Sequence, residues 1–275
     1  MIADEVGKRN IRIKENMVID REKVKSVFAD YVADYDINDT KVRLKVEHTY
    51  RVADLCDMIA KSLKLSQEDV DLAWLLGMFH DVGRFEQLRR FNTFEDSISV
   101  NHAALSADIL FTDGHVRDYI EDDTEDKLME KAIRLHNVYE LPKALTDREL
   151  MYAQILRDAD KIDILKVNCD FPMDEIYNMP MEAFYTDDIS PKVLEDSLAH
   201  LNVNRCHTVT SIDHLVGHIS LVYGLVYPAS VAEAMRQGYI EQMLSFESHN
   251  EKTREAMQKI RDCVHKYMDE RISDV

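Results

Sequence analysis

Glycine and proline are scarce: a chain of 275 residues carries only seven of the first and five of the second. Tight turns and strand-rich folds need those residues often, so their scarcity favours long, uninterrupted helices. Apolar spacing supports this. Val42, Val46, Val52, Leu55, Ile59 and Leu63 recur near helical spacing and predict a helix over 41–63. Ser66 reads as the N-cap of the next helix, with Asp69 three residues on. That helix carries Val70, Ala73, Trp74, Gly77 and Met78 and ends near His80-Asp81, with Gly83 as its stop. Residues 84–99, rich in Arg and Phe, read as irregular, a loop over a site. Further helices are expected at 101–112, 125–139, 147–168, 191–205, 211–227, 229–246 and 250–270. Pro172, Pro180 and Pro191 make 172–191 the best linker candidate. The first 20 residues fit either a short strand or an extended arm. The fold class is therefore all-α. Residues 1–40 form an arm and lead-in helix, 41–170 a core, and 171–275 a helical layer packed on it, within one compact domain.

Charge narrows the function classes. With 34 Lys and Arg against 52 Asp and Glu, the formal charge is −18. No Lys/Arg stripe with interleaved aromatics relieves it, so binding along a nucleic-acid polymer is not expected. A small anionic substrate stays open, because bound divalent cations would reverse the local field. Cys56, Cys169, Cys206 and Cys263 are far apart and form no C-x-x-C pair, which reads as reduced thiols. No apolar stretch reaches membrane-span length and the N-terminus has no signal-like apolar core. A cytoplasmic protein without a membrane partner is expected. The acidic run 118–126 reads as a solvated connector, since it lacks EF-hand spacing.

The chemistry lies in a set of His and Asp residues. His80-Asp81 ends the apolar run WLLGMFHD; His48 lies upstream, and His102, His136 and an Asp in RDADKID lie downstream. A hydrolytic metal centre needs imidazoles and carboxylates converging from separate elements, with positions left open for water and substrate. One contribution from each of five successive helices would line the middle of a bundle. Within RDADKID, Asp158, Asp160 and Asp163 cannot all be ligands: Asp160 faces away from Asp158, and Asp163 lies on the Asp160 side. His115, His200, His249 and His265 read as ordinary surface or core residues. His214 and His218 stand at i, i+4 on an apolar helix, as core residues or as part of a pocket wall.

The order H…HD…D, from EHTYRVADL through FHDVGRFEQ to RDADKID, resembles the HD-domain superfamily of metal-dependent phosphohydrolases. The resemblance implies four core ligands, His48, His80, Asp81 and Asp160, with Asp158 as the fallback for the last. His102 and His136 match the extra histidines of two-metal members. His136-Asn137 departs from the His-His pair that some of those carry. The resemblance further implies one or two divalent ions (Mn, Fe, Co, Ni or Mg) and a water of lowered pKa attacking phosphorus. Asp81 serves catalysis, and Arg84 and Lys161 bind phosphoryl oxygens. The Lys161 side chain has an alternative use, a salt bridge to a neighbouring Asp; Lys14, Arg89 and Arg90 are weaker anion contacts. The implied substrate is a small phosphorylated compound, with a nucleotide favoured. Two other functions share this ligand set: a di-iron oxygenase and a catalytically silent metal-binding signalling module. Oligomeric state is open.

Overall fold

The computed structural model describes residues 18–177 and 179–273. Among the described residues the regular structure is entirely helical. The strand-or-arm reading of the first 20 residues, and Lys14, fall almost wholly outside them. Helix α1 (Arg21–Ala33) starts at Asp20, whose carboxylate accepts from the Glu22 and Lys23 amides. Helix α2 (Thr40–Ser62) is capped by Asp39, and α3 (Gln67–Phe79) by Ser66, which accepts from the Asp69 amide. Every α3 residue from Leu72 to Phe79 is buried, so this helix is enclosed on all sides. Arg21 joins the three, with Asp57 of α2 and Asp71 of α3 at 2.7 and 2.6 Å and its guanidinium over Trp74.

The crossing of α2 and α3 depends on Gly77. A Cβ there would lie 2.4 Å from Ala53 Cα and 2.7 Å from Ala53 N. The two backbones therefore touch, five residues from His48 on one helix and three from His80 on the other.

Helix α4 (Val82–Phe91) occupies the first half of the stretch 84–99 expected to be irregular. Gly83 was read as a stop and is instead inside a helix. A Cβ on it would meet Ser106 N at 2.6 Å and His102 O at 2.8 Å, so it is glycine for close approach. Phe85 explains the helical continuation: it is buried and packs edge-on against Phe28 and Tyr31 of α1. The loop proper runs over 92–101 and holds a 3-10 turn, Asp96–Ile98. Helix α5 (His102–Ala107) passes into a π-helical turn, Asp108–Thr112. Next come α6 (Val116–Tyr119) and α7 (Asp126–Arg134). The latter is expected to reach 139 but ends at Arg134, and the carbonyls of the residues that follow accept from Arg157. Helix α8 (Asp147–Asp170) opens on a Thr146–Glu149 capping box. It packs against α2, α3 and α7.

The expected linker 172–191 contains two short helices, α9 (Met173–Tyr177) and α10 (Met181–Thr186). The chain continues through α11 (Pro191–Leu198), α12 (Ser211–Ile219), α13 (Pro228–Gln237), α14 (Tyr239–Leu244) and α15 (Glu251–Ser273). Gly238, at φ +75°, splits the single helix expected over 229–246 into α13 and α14. Helices α12, α13 and α14 pack on α8. Asp158 ties the two parts: its carboxylate accepts from the Val226 amide at 2.8 Å and the Tyr227 amide at 3.0 Å, just ahead of α13. Buried apolar side chains from α1 to α15 form one continuous cluster. No helix among the described residues is long and apolar enough to cross a membrane.

Adding a methyl at Gly77 must part α2 from α3. Gly77→Ala is expected to cost roughly 1–3 kcal/mol in urea unfolding and to lower bound metal with it, since His48 and His80 separate. Unchanged stability and metal content would disprove this account of the crossing.

Candidate metal centre

His48 projects from the middle of α2, His80 and Asp81 sit in the break between α3 and α4, and Asp160 lies on α8. His102 is the first residue of α5. His136 lies just past the end of α7, in a turn, where a position on the helix was expected. All six come together as two triplets that could each hold an ion: His48, His80 and Asp160; and Asp81, His102 and His136.

Asp81 stands between the triplets. Its Oδ2 lies 3.4 Å from His48 Nε2 and 3.5 Å from His80 Nε2. Its Oδ1 lies 3.6 Å from His102 Nε2 and 3.9 Å from His136 Nε2. Asp160 Oδ1 closes the first triplet, 3.3 Å from His48 Nε2 and 3.8 Å from His80 Nε2.

Each imidazole is oriented through its other nitrogen. His48 Nδ1 donates to Asp163 at 2.6 Å and His80 Nδ1 to the Gly77 carbonyl at 2.7 Å. His102 Nδ1 donates to Asp96 at 2.6 Å and His136 Nδ1 to the Ile133 carbonyl at 2.8 Å. An acceptor at Nδ1 places the proton there and turns the Nε2 lone pair inward, the tautomer a metal ligand requires. His102 and His136 then face each other through Nε2 at 3.0 Å. Burial lowers both to about 4, so neither carries a second proton at neutral pH. Two lone pairs at that distance repel unless a cation lies near. Asp81 Oδ1, buried beside them, has no hydrogen-bond partner among the described residues. An orphaned carboxylate oxygen and two opposed lone pairs are what a divalent ion would satisfy.

His48 and His80 also approach through Nε2, at 3.2 Å. Burial and Lys45 oppose charge on His48, but Asp160, Asp163 and Asp81 outweigh them and raise it to about 10 in the protein alone. A proton there serves where a cation would. Despite burial, Lys45 and His80 hold the Asp81 carboxyl well below its usual range, and the histidines do the same for Asp160.

Arg84 Nε is 3.6 Å from Asp81 Oδ1, while its Nη1 donates to Gln87, the Phe94 carbonyl and Asp96. The guanidinium is thus held beside the centre by the 92–101 loop. Lys161 follows Asp160 and makes no ion pair among the described residues; its Nζ donates to the Gly224 carbonyl at 2.9 Å. Burial lowers it to about 8. The salt-bridge alternative for Lys161 is not what the structure shows. Asp158 points away from the centre, to the amides before α13.

Several neighbours were not singled out from the sequence. Lys45 Nζ is 2.7 Å from Asp81 Oδ2. It precedes His48 by three residues on the same helix face, a legible spacing in retrospect. Arg51 braces Asp163 at 2.6 Å. Arg157 of α8 donates to the carbonyls of Leu135, His136, Val138 and Tyr139, fixing the turn that carries His136. Asp96 and Arg157 carry no sequence signal, because each is defined by a partner distant in sequence.

Residues 46–165 match the family model of the HD domain, a span that includes all six clustered residues. Comparisons with curated proteins and with solved structures returned no match.

Removing an outer partner should loosen one triplet selectively. Asp96→Ala is expected to weaken metal binding at the His102–His136 triplet by about 10–100-fold and to leave the other triplet nearly unchanged, in a competition titration against a chromophoric chelator. Equal weakening at both, or at neither, would contradict the arrangement.

Proposed function

We propose that the protein is a metal-dependent phosphohydrolase of HD type, acting on a small phosphorylated compound with a nucleotide as the favoured class. The observation that carries this reading is Asp81, which turns one oxygen toward each triplet. Two divalent ions would be held here by His48, His80 and Asp160 on one side and by Asp81, His102 and His136 on the other. The residues fit hard-to-borderline divalent ions (Mn, Fe, Co, Ni or Mg), being imidazole nitrogens and carboxylate oxygens with no thiolate among them. Bound there, divalent ions supply Lewis acidity that polarises a phosphoryl oxygen and lowers the pKa of water. The HD-domain match supports the hydrolase superfamily.

The chain's own groups supply the rest. Asp81 orients both halves of the centre. Arg84, locked at Nη1, offers its remaining N–H groups to phosphoryl oxygens as a planar fork. Lys161 spends one N–H on Gly224 and has two left for substrate oxygens. Lys45 beside Asp81 adds a third positive charge, which matters in a chain of net charge −18. These cations draw an anionic group into an otherwise acidic surface.

The test pairs metal content with product. Protein purified without oxygen should carry two divalent ions per chain and release inorganic phosphate from nucleotides. Asp81→Asn should lower both. Lys161→Ala should retain its metal and lose on the order of 10²-fold in rate, as for other donors to developing charge. Iron with dioxygen uptake and no phosphate release would replace this reading by the oxygenase; metal without any turnover would leave a binding module.

A further inference from the structure

Helix α12 turns Ile212, Leu215, Val216 and Ile219 into the core. Its other side carries His214, Gly217 and His218, all part-exposed and at i, i+3 and i+4, hence on one face. Among the described residues, a Cβ on Gly217 would meet nothing within 4 Å, so they leave open space directly over that face. Glycine inside a helix costs about 1 kcal/mol against alanine. Here neither a positive φ nor a close approach calls for it. What the missing side chain provides is room.

The groups around that room are aromatic, imidazole and cationic. The Tyr177 ring lies 5.5 Å from the His214 ring and 5.3 Å from that of His218. Its hydroxyl is 2.6 Å from His218 Nδ1 and 2.7 Å from Asn168 Oδ1, which fixes the ring in place. No hydrogen bond engages the His214 ring, and no ion pair engages Arg205, among the described residues. Arg205 lies within electrostatic reach of both histidines, and Glu95 within reach of His214.

Two segments beside α12 also touch the His/Asp centre. On one, Glu95 adjoins Asp96, which holds His102. On the other, Gly224 accepts from Lys161, next to Asp160. A Cβ on Gly224 would lie 3.0 Å from Lys161 Nζ and 3.1 Å from Asn202 Oδ1. That Asn202 oxygen is buried with no hydrogen-bond partner among the described residues, an acceptor on the same side of Gly224 as Lys161 Nζ.

We propose that the His214–Gly217–His218 face of α12, with Tyr177 and Arg205, receives the organic part of the substrate, a planar ring with hydrogen-bonding edges such as a nucleobase. The proposal rests on the phosphohydrolase reading, with the phosphoryl group at the His/Asp centre. Imidazole and phenol rings stack on a planar ring without a strong sequence of contacts, Arg205 covers its edge or face, and Gly217 leaves the thickness it needs.

The experiment is calorimetric binding of adenosine, guanosine, cytidine and uridine 5′-monophosphates and of inorganic phosphate to the manganese-loaded full chain. At least one nucleotide should bind about tenfold or more tighter than phosphate. Gly217→Leu fills the space and should erase that advantage, with metal content and phosphate affinity kept; a steric change of this size is worth roughly tenfold or more. Arg205→Ala, on the surface, should reduce the advantage severalfold and decides the matter if the leucine variant misfolds. Nucleotides no tighter than phosphate in the wild type, or an advantage that survives both substitutions, would overturn the proposal. Failure of inorganic phosphate to bind the wild type would instead remove the phosphohydrolase reading beneath it.

Discussion

An ionised carboxylate buried in a helical core must be answered by positive charge, and Asp81 is that carboxylate. One of its oxygens meets Lys45; the other has imidazole edges and, at 3.6 Å, Arg84 Nε near it, with no hydrogen bond among the described residues. The surrounding architecture serves this demand. The α3–α4 break sets Asp81 at the centre, Gly77 lets α2 bring His48 and Lys45 alongside, and Gly83 lets α5 bring His102. Two glycines of the few in the chain stand where backbones must touch for the centre to assemble.

Orientation is the second layer. Four imidazoles turn the same nitrogen inward because two carboxylates and two carbonyls hold the other one. The carbonyl acceptors, of Gly77 and Ile133, each lie three residues before the histidine they hold, so helix ends do that work locally. The carboxylates Asp163 and Asp96 come from distant segments. Asp163 is itself clamped by Arg51, and Asp96 by Arg84 and Gln87. The centre is therefore rigid before any ion binds, which favours a defined coordination geometry over an adaptable one.

The helical layer after α8 closes over this centre through backbone contacts more than through charge pairs. Asp158 holds the amides ahead of α13, Lys161 reaches Gly224, and Tyr139 donates to the Asn202 carbonyl. One turn of α8 thus faces both ways: Asp160 toward the histidines, Asp158 toward the C-terminal helices. The helical repeat separates neighbours two residues apart onto opposite sides, so a single segment supplies a candidate ligand and a structural anchor.

Much was legible in the chain itself. Scarce Gly and Pro and helical spacing specified an all-α fold and the limits of α2, α3 and α8 within two residues, because such signals are local. The histidines were legible because histidine is scarce, with 11 in the chain, and lies here in helical surroundings; the aspartates, common in this chain, were legible only through the His-Asp pair and RDADKID. Gly83 was misread, since the same residue serves as a helix stop or as a point of contact, and only the presence of Ser106 and His102 tells them apart. The 84–99 stretch hid a helix because Phe85 is satisfied by rings from α1, not by its sequence neighbours. Asp96 and Arg157 were invisible for the same reason. Sequence determined the all-α class, the long helices α2, α3 and α8, and which residues have the chemistry to bind an ion. Tertiary structure alone decided which nitrogen of each histidine points inward, which aspartate faces the centre, and where room is left, because each of these is a relation between segments that the linear order does not bring together.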